Sequence, residues 1–370
     1  MEIGMQRISN YQLFTLMMLF QIGTTIIFGF GSGAGRDAWI SVLLSAAVGI
    51  VITGVYAILL IMHPGLTLVE WFPKQFGKWP GSFLGWLYPL LFIYNAGRGL
   101  ADMSFLIPDT LLPQTPPLFS VGLLVLLLIY GLYKGIEVLG RLAGILLPFI
   151  LLLLMLEIVF LLVSGTINLR ELLPIAGKGW APILKAVWPA GITQSFGEMS
   201  AMTILWPLAK SRKGAIRTAL LSTLGTGLLI AATDILALVV IGEPIFKRAY
   251  YPMYILLRQI EVGELLDNLD VLAVLYFVIT VFFKTVLYLF AAIRSIQLLA
   301  NLPSIRPLVI PASLFALFMS MTMTDNLMEH IMGVHMTILS PYFWIPLQYV
   351  LPIMLLLTAV VRRFVFKKRW

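Results

Sequence analysis

The sequence predicts an all-helical membrane protein of ten spanning helices, built as two five-helix halves of opposite orientation, with the first helix of each half broken. Composition, the spacing of apolar windows and a matched pair of polar interruptions lead to this reading. Of the 370 residues 60% are hydrophobic and only 11% charged, with a mean hydropathy of +0.98, where a soluble chain carries about a quarter charged residues. Apolar windows of about twenty residues fall at 11–30, 38–62, 82–107, 119–134, 142–164, 183–209, 215–241, 271–293, 307–323 and 342–365. The ninth is the weakest, interrupted by Pro311 and fading into Met319–Met323.

The bundle uses nearly the whole chain, so residues 1–370 read as a single transmembrane domain, with repeats at about 8–164 and 180–366. The net charge of +8 does not imply nucleic acid, because the basic residues sit in short loops and at the C-terminus. The absence of cysteine excludes disulfides, thiolate metal sites and cysteine nucleophiles. The first apolar run, Tyr11 to Phe30, is too long for a signal-peptide core and is kept as a span.

An even number of spans places both termini on one side, and the basic residues indicate which. With a cytoplasmic N-terminus, sixteen Lys and Arg fall in inner segments and seven in outer ones, leaving Arg98 and Lys284 within the membrane. Among the loops, only 242–270 is long. Within Pro252–Leu269 the residues Ile255, Leu256, Ile260, Leu265, Leu266 and Leu269 recur at helical spacing, as in a helix lying on the outer face that either lids a vestibule or anchors the fold.

The segment Trp188-Pro-Ala-Gly-Ile-Thr-Gln-Ser-Phe-Gly-Glu-Met-Ser-Ala-Met202 carries helix breakers, hydroxyls, an amide and a carboxylate inside a membrane-length apolar stretch. Backbone loosened at that depth survives only against protein or a polar cavity. The first span has its own interruption at Gly23-Thr24-Thr25. Paired breaks at corresponding positions of two inverted halves mark the binding site in secondary-transporter folds. Unwinding at Gly23 would offer a helix N-terminus to a carboxylate, and unwinding at Phe196-Gly197 a helix C-terminus to an ammonium group. A zwitterion, a free amino acid, follows as the expected ligand. The structural alternative is that both glycines only let helices pack closely.

Lys284, about thirteen residues into the eighth span, would cost at least ~3 kcal/mol unless solvated, paired or neutral. Two readings stand: it replaces a coupling cation beside the first break, or it pairs with Glu198. Arg98 and Asp102, four apart on the third span, read as an intrahelical ion pair or as outer-vestibule recognition. Glu157 and Asp234 read as residues reaching the outer interface. His330 and His335, with Asp325 and Glu329, have poor metal spacing and read as solvated loop residues. No nucleophile, base and orienting residue stand together and no phosphate loop is present, so neither an enzyme nor a cofactor site is expected.

Several stretches resemble one family. They are Ile8-Ser-Asn-Tyr-Gln-Leu-Phe14 leading into the interrupted first helix, Ser195-Phe-Gly-Glu-Met199, Pro207 with the basic run Lys210 to Lys213, Phe282-Phe-Lys-Thr285, and Pro346 to Pro352 before a basic tail. In order and spacing, over nearly the whole chain, they are similar to the B subunits of Ger-type spore germinant receptors, within the amino acid-polyamine-organocation superfamily. The resemblance implies a LeuT-like fold and a place in the spore inner membrane. It also implies nutrient binding, with an A-type membrane subunit and a C-type lipoprotein as partners. Residue by residue, it places Gly23, Thr24 and Thr25 at the first-helix break, Phe196, Gly197 and Glu198 at the sixth, and Thr285 near the ligand, with a structural or vestibule role for Arg98. Asn268 departs from the basic residue found in some relatives. A proton-coupled amino-acid permease with Lys284 as the titrating group, and a scaffold subunit that binds nothing, are the alternative functions.

Overall fold

Ser9 and Ser211 cap the starts of two membrane-length helices, and Gly23, Gly135 and Gly165 end three helices. In the computed structural model, residues 7–260 and 270–365 are described. Ser9 opens α1 (Asn10–Ile22) with a reciprocal cap: its hydroxyl accepts from the Gln12 N–H at 3.1 Å, and its own N–H donates to Gln12 Oε1 at 2.8 Å. After Gly23 the chain makes one more turn, α2 (Thr25–Phe28), then a glycine-rich 3₁₀ segment, Ser32–Asp37, leading into α3 (Ala38–Met62). The short α4 (Leu68–Phe76) precedes α5 (Lys78–Thr110), followed by α6 (Pro117–Lys134) and α7 (Ile136–Ser164). The second half holds α8 (Trp180–Ala186), α9 (Met199–Met202), α10 (Arg212–Arg248), α11 (Pro252–Leu257), α12 (Asp270–Leu299), α13 (Arg306–Thr322), α14 (Leu327–Met332) and α15 (Leu351–Val365). A π-helical run, His335–Trp344 and Pro346–Val350, joins α14 to α15.

Seven of these stretches, matching the first, second, fourth, fifth, seventh, eighth and tenth expected spans, are long and apolar enough to cross a membrane. The third span is α5, 33 residues with Pro89 and Pro108 inside it. The sixth and ninth contain the shorter apolar helices Met199–Leu208 and Arg306–Thr322. Among the described residues the only β-type pairing is an isolated parallel bridge between Ile8 and Ala209.

Packing follows the inverted repeat. The most extensive helix contacts pair α5 with α12 and α3 with α10, the third span with the eighth and the second with the seventh. A two-fold axis in the membrane plane brings such counterparts side by side. At the centre, α1 is enclosed by α7, α10 and α12, with Leu13, Leu16, Met17, Leu19, Phe20 and Ile22 fully buried. Leucines exposed along α6 and α7, such as Leu126, Leu127, Leu152 and Leu162, form a surface suited to hydrocarbon.

Two expectations change here. The seventh span runs past a kink at Gly242 (φ 74°) to Arg248, so the long outer loop starts later than the apolar window suggested. The predicted surface helix is short and inserted: in α11 Met253, Leu256 and Leu257 are buried against α2, α10 and α12. A Cβ on Gly29 would lie 2.7 Å from the Pro252 ring. Leu265, Leu266, Leu269 and the Asn268 position lie outside the described residues. Nearby, Glu243 accepts from Arg36 at 2.8 Å and from Lys178 at 2.6 Å, tying three outer segments together.

Candidate functional site

The first break forms because Gly23 ends α1. Its N–H still donates to Leu19 O at 3.0 Å, but its φ of 41° and ψ of −131° turn the chain out of the helix. A side chain is excluded twice over, by the positive φ and because a Cβ would lie 2.4 Å from Lys284 Cδ. The lysine stem therefore occupies the space that the glycine leaves. Beyond the break, α2 has only four residues. The helix N-terminus available to a carboxylate at Gly23 is therefore that of a single turn.

The sixth span is broken over a longer stretch. It changes from α-helix to a π-helical turn at Val187–Gly191 and turns through 193–198, with Ser195 at a φ of 53°, before α9 resumes. Gly197 N–H donates to Ile192 O at 2.9 Å, and the Tyr349 hydroxyl donates to the same carbonyl at 2.6 Å. Thr193 shares a hydrogen bond with Ser340 at 2.8 Å. These bonds replace the helical partners that the unwound backbone has lost.

The two breaks meet through two contacts. Thr25 and Ser195 share a buried hydroxyl–hydroxyl bond at 2.5 Å. Lys284 reaches across Gly23 to place its ammonium 2.7 Å from Glu198 Oε2, with both side chains more than nine-tenths buried. The pairing with Glu198 is thus formed, and the same lysine fills the first break. Tyr288 is a buried electrostatic neighbour of Glu198.

The other sequence-selected residues point elsewhere. Thr24 is half-buried and makes no capping bond. Phe196 is plugged into a slot of small residues: Cβ atoms added at Gly49 or Gly227 would touch Phe196 or Ala46, and Phe196 lies edge-on to Phe30 at 6.1 Å. Thr285 turns toward Gly99 of α5, its hydroxyl buried and unpartnered.

Arg98 and Asp102 do not pair with each other. Asp102 takes the His330 ring at 2.8 Å, while Arg98 is hydrogen-bonded to His335 and lies 5.6 Å from the centre of the Trp344 ring. Both histidines are buried, at 1% and 3% exposure, so they are not the solvated loop residues expected. The polar stretch 324–337 folds inward because these rings satisfy side chains of α5. Glu157 and Asp234 are also buried rather than interfacial, with Tyr276 beside Glu157 and Asp234 Oδ2 unpartnered. Among the described residues no group of three or more His, Asp or Glu side chains is placed to hold a metal.

Sequence reasoning missed the tenth span's grip on the sixth-helix break. Tyr88 donates to Leu347 O at 2.7 Å and Tyr56 to Gln348 O at 2.8 Å, holding the π-helical run. Gln348, 1% exposed, aims an unpartnered Oε1 at Gly197, where a Cβ would lie 2.3 Å away. The available signal was Pro341, Pro346 and Pro352, three prolines in a dozen residues.

Residues 7–328, which include both breaks and Lys284, match the family model described as "Spore germination protein". The chain belongs to the spore germination protein family. It is 31% identical to Spore germination protein KB of Bacillus subtilis (strain 168) over 357 residues, 96% of this chain and 95% of that protein. Spore germination protein XB of Bacillus anthracis is 24% identical over 70% of this chain and 71% of its own. For the fold, this family member superimposes on Mhp1, a nucleobase-cation-symport-1 family transporter solved closed with bromovinylhydantoin bound. The TM-score is 0.66 at 14% identity, covering 87% of this chain and 74% of that one. MhsT in complex with L-phenylalanine gives 0.64 at 17% identity, covering 99% and 90%. These likenesses establish the LeuT-type architecture.

Proposed function

We propose that this protein is the nutrient-sensing membrane subunit of a spore germinant receptor, binding a small molecule, a free amino acid in the first instance, where the two broken helices meet. Family membership supports the receptor role. The single observation that carries the site is Lys284, which touches Gly23 of one break and Glu198 of the other. A ligand that rearranges this bridge changes the relation of the two halves, and its differential affinity for the rearranged state shifts the population. An A-type membrane subunit and a C-type lipoprotein would receive the change. The protein would work as one transmembrane unit in the spore inner membrane, with both termini cytoplasmic, as the excess of basic residues in inner segments favours. We assign it no catalytic role and no cofactor.

A proton-coupled permease would use the same pocket, but a lysine already paired at 2.7 Å with a buried carboxylate favours a bridge over a freely titrating carrier. The test is a thermal-shift screen of nutrients on the purified protein, followed by uptake of each hit into proteoliposomes. A saturable hit that is lost in Lys284→Met, without concentrative uptake under a proton gradient, is the expected result. Gradient-driven accumulation makes it a permease, and no hit on a folded sample supports the scaffold role.

A further inference from the structure

The two cations in the membrane interior are not equally satisfied. Lys284 has Glu198 at 2.7 Å. Among the described residues Arg98 has no carboxylate within salt-bridge distance, because Asp102, one turn along the same helix, is bound to His330 at 2.8 Å. The guanidinium instead leans on an imidazole, His335, and on the face of Trp344, and its Nε has no hydrogen-bond partner. Such an arrangement is unusual, because arginine's five N–H donors form a fork shaped for a two-oxygen anion. Neither present partner offers that geometry.

Its placement adds a second argument. Arg98 is half-buried rather than sealed, and its electrostatic neighbours include Glu198 and Tyr288, the groups beside the sixth-helix break. Thr285, on the same face of α12 one turn before Tyr288, turns its unpartnered hydroxyl to Gly99, the residue after Arg98. Arg98 Nε on α5 and the Thr285 hydroxyl on α12 are therefore both unpartnered, on the two spans that carry Arg98 and Lys284. Among the described residues no carboxylate completes the Arg98 fork, so an anion from outside can.

We propose that Arg98 is the carboxylate subsite of the binding pocket, with His335 and Trp344 as the groups that the carboxylate displaces. The inference rests on the nutrient-binding reading and specifies its ligand as a carboxylic acid. It moves the anionic end of that ligand away from Gly23, where α2 is one turn long, to the third span. The ligand's other end then lies toward Glu198. A carboxylate on Arg98 pulls His335, and with it the start of the tenth span, away from α5, so occupancy is felt outside the pocket.

The test uses the purified full-length protein and three sets of probes: the free amino acids, their carboxamides, and the monocarboxylates acetate and propionate. The wild type is expected to be stabilised by an amino acid and not by its carboxamide, a contrast that needs no variant. Arg98→Gln should weaken binding roughly tenfold or more, the size expected for losing hydrogen bonds to a charged group, and Arg98→Lys should retain part of it. Stabilisation by acetate or propionate alone, lost in Arg98→Gln, would keep the subsite and remove the amino-acid assignment. Carboxamides binding as well as acids, a neutral nutrient bound equally by wild type and Arg98→Gln, or no response of the wild type to any carboxylate would each overturn the subsite. The neutral-nutrient outcome would leave the receptor reading standing.

Discussion

The two breaks occupy equivalent positions in an inverted repeat, yet they are held open by different chemistry. The first is a single glycine whose missing side chain is replaced by the stem of Lys284 from α12. The sixth is a six-residue turn held by hydroxyls, with Tyr349, Ser340 and Thr25 bonding to Ile192, Thr193 and Ser195, and anchored by Phe196 in an apolar slot. The ion pair and the Thr25–Ser195 bond are shared by both breaks; beyond them the first rests on one lysine stem and the sixth on further neutral bonds. Symmetry of the backbone therefore does not extend to the forces at work, and the halves respond unequally to the same perturbation.

The comparison can be broken most severely at Lys284. Lys284→Met leaves the Glu198 carboxylate buried without its partner and is expected to cost about 3–5 kcal/mol. The double substitution Lys284→Met with Glu198→Gln should recover most of that in a thermal unfolding cycle. Equal losses in the single and double variants would mean the pair is not what holds the first break.

Gly197→Ala is next. Its Cβ would lie 2.3 Å from Gln348 Oε1 and 2.9 Å from Ile192 O, so about 2 kcal/mol is expected, within the range for overpacking. Shortening the side chain with Gln348→Ala should relieve part of it. If the second change gives no relief, the backbone carbonyl alone is the obstacle.

Distributed bonding predicts a milder loss at the sixth break. Tyr349→Phe removes one of its several hydrogen bonds and should cost about 1 kcal/mol, measurable as a small fall in Tm with binding retained. A loss as large as that of Lys284→Met would end the contrast between the breaks. The smallest effect belongs to Thr285→Val. Its hydroxyl is buried and unpartnered, so its removal should leave stability within about 0.5 kcal/mol of wild type or above it. Loss of ligand response in that variant would place the hydroxyl at the ligand.

Both breaks were legible in the sequence because glycine, hydroxyls and a carboxylate are costly at membrane depth, and Lys284 stood out for the same reason. The grip of the tenth span was not. Nothing in the sequence singles out Tyr56, Tyr88 and Tyr349, and only their tertiary positions turn three hydroxyls toward backbone carbonyls. His330 and His335 were misread because Asp325, Asn326, Glu329 and Gly333 around them have the composition of a solvated loop. Burial of the two rings depends on Arg98 and Asp102, more than two hundred residues earlier. The weak ninth window gave a true helix, Arg306–Thr322, in which Pro311 is tolerated within its first two turns.

The parallel bridge at the inner end has a mechanical consequence. Ile8 N–H donates to Leu208 O at 3.0 Å, and Lys210 N–H donates to Ile8 O at 3.1 Å. The residues just before the first span and just after the sixth are thus spliced like two ropes into one yoke. Any pull on the amino-terminal arm reaches both inner half-helices together and does not part them. The helix breaks lie further along, at Gly23 and at the turn through Ser195, so the yoke and the breaks sit at different depths of the same two spans.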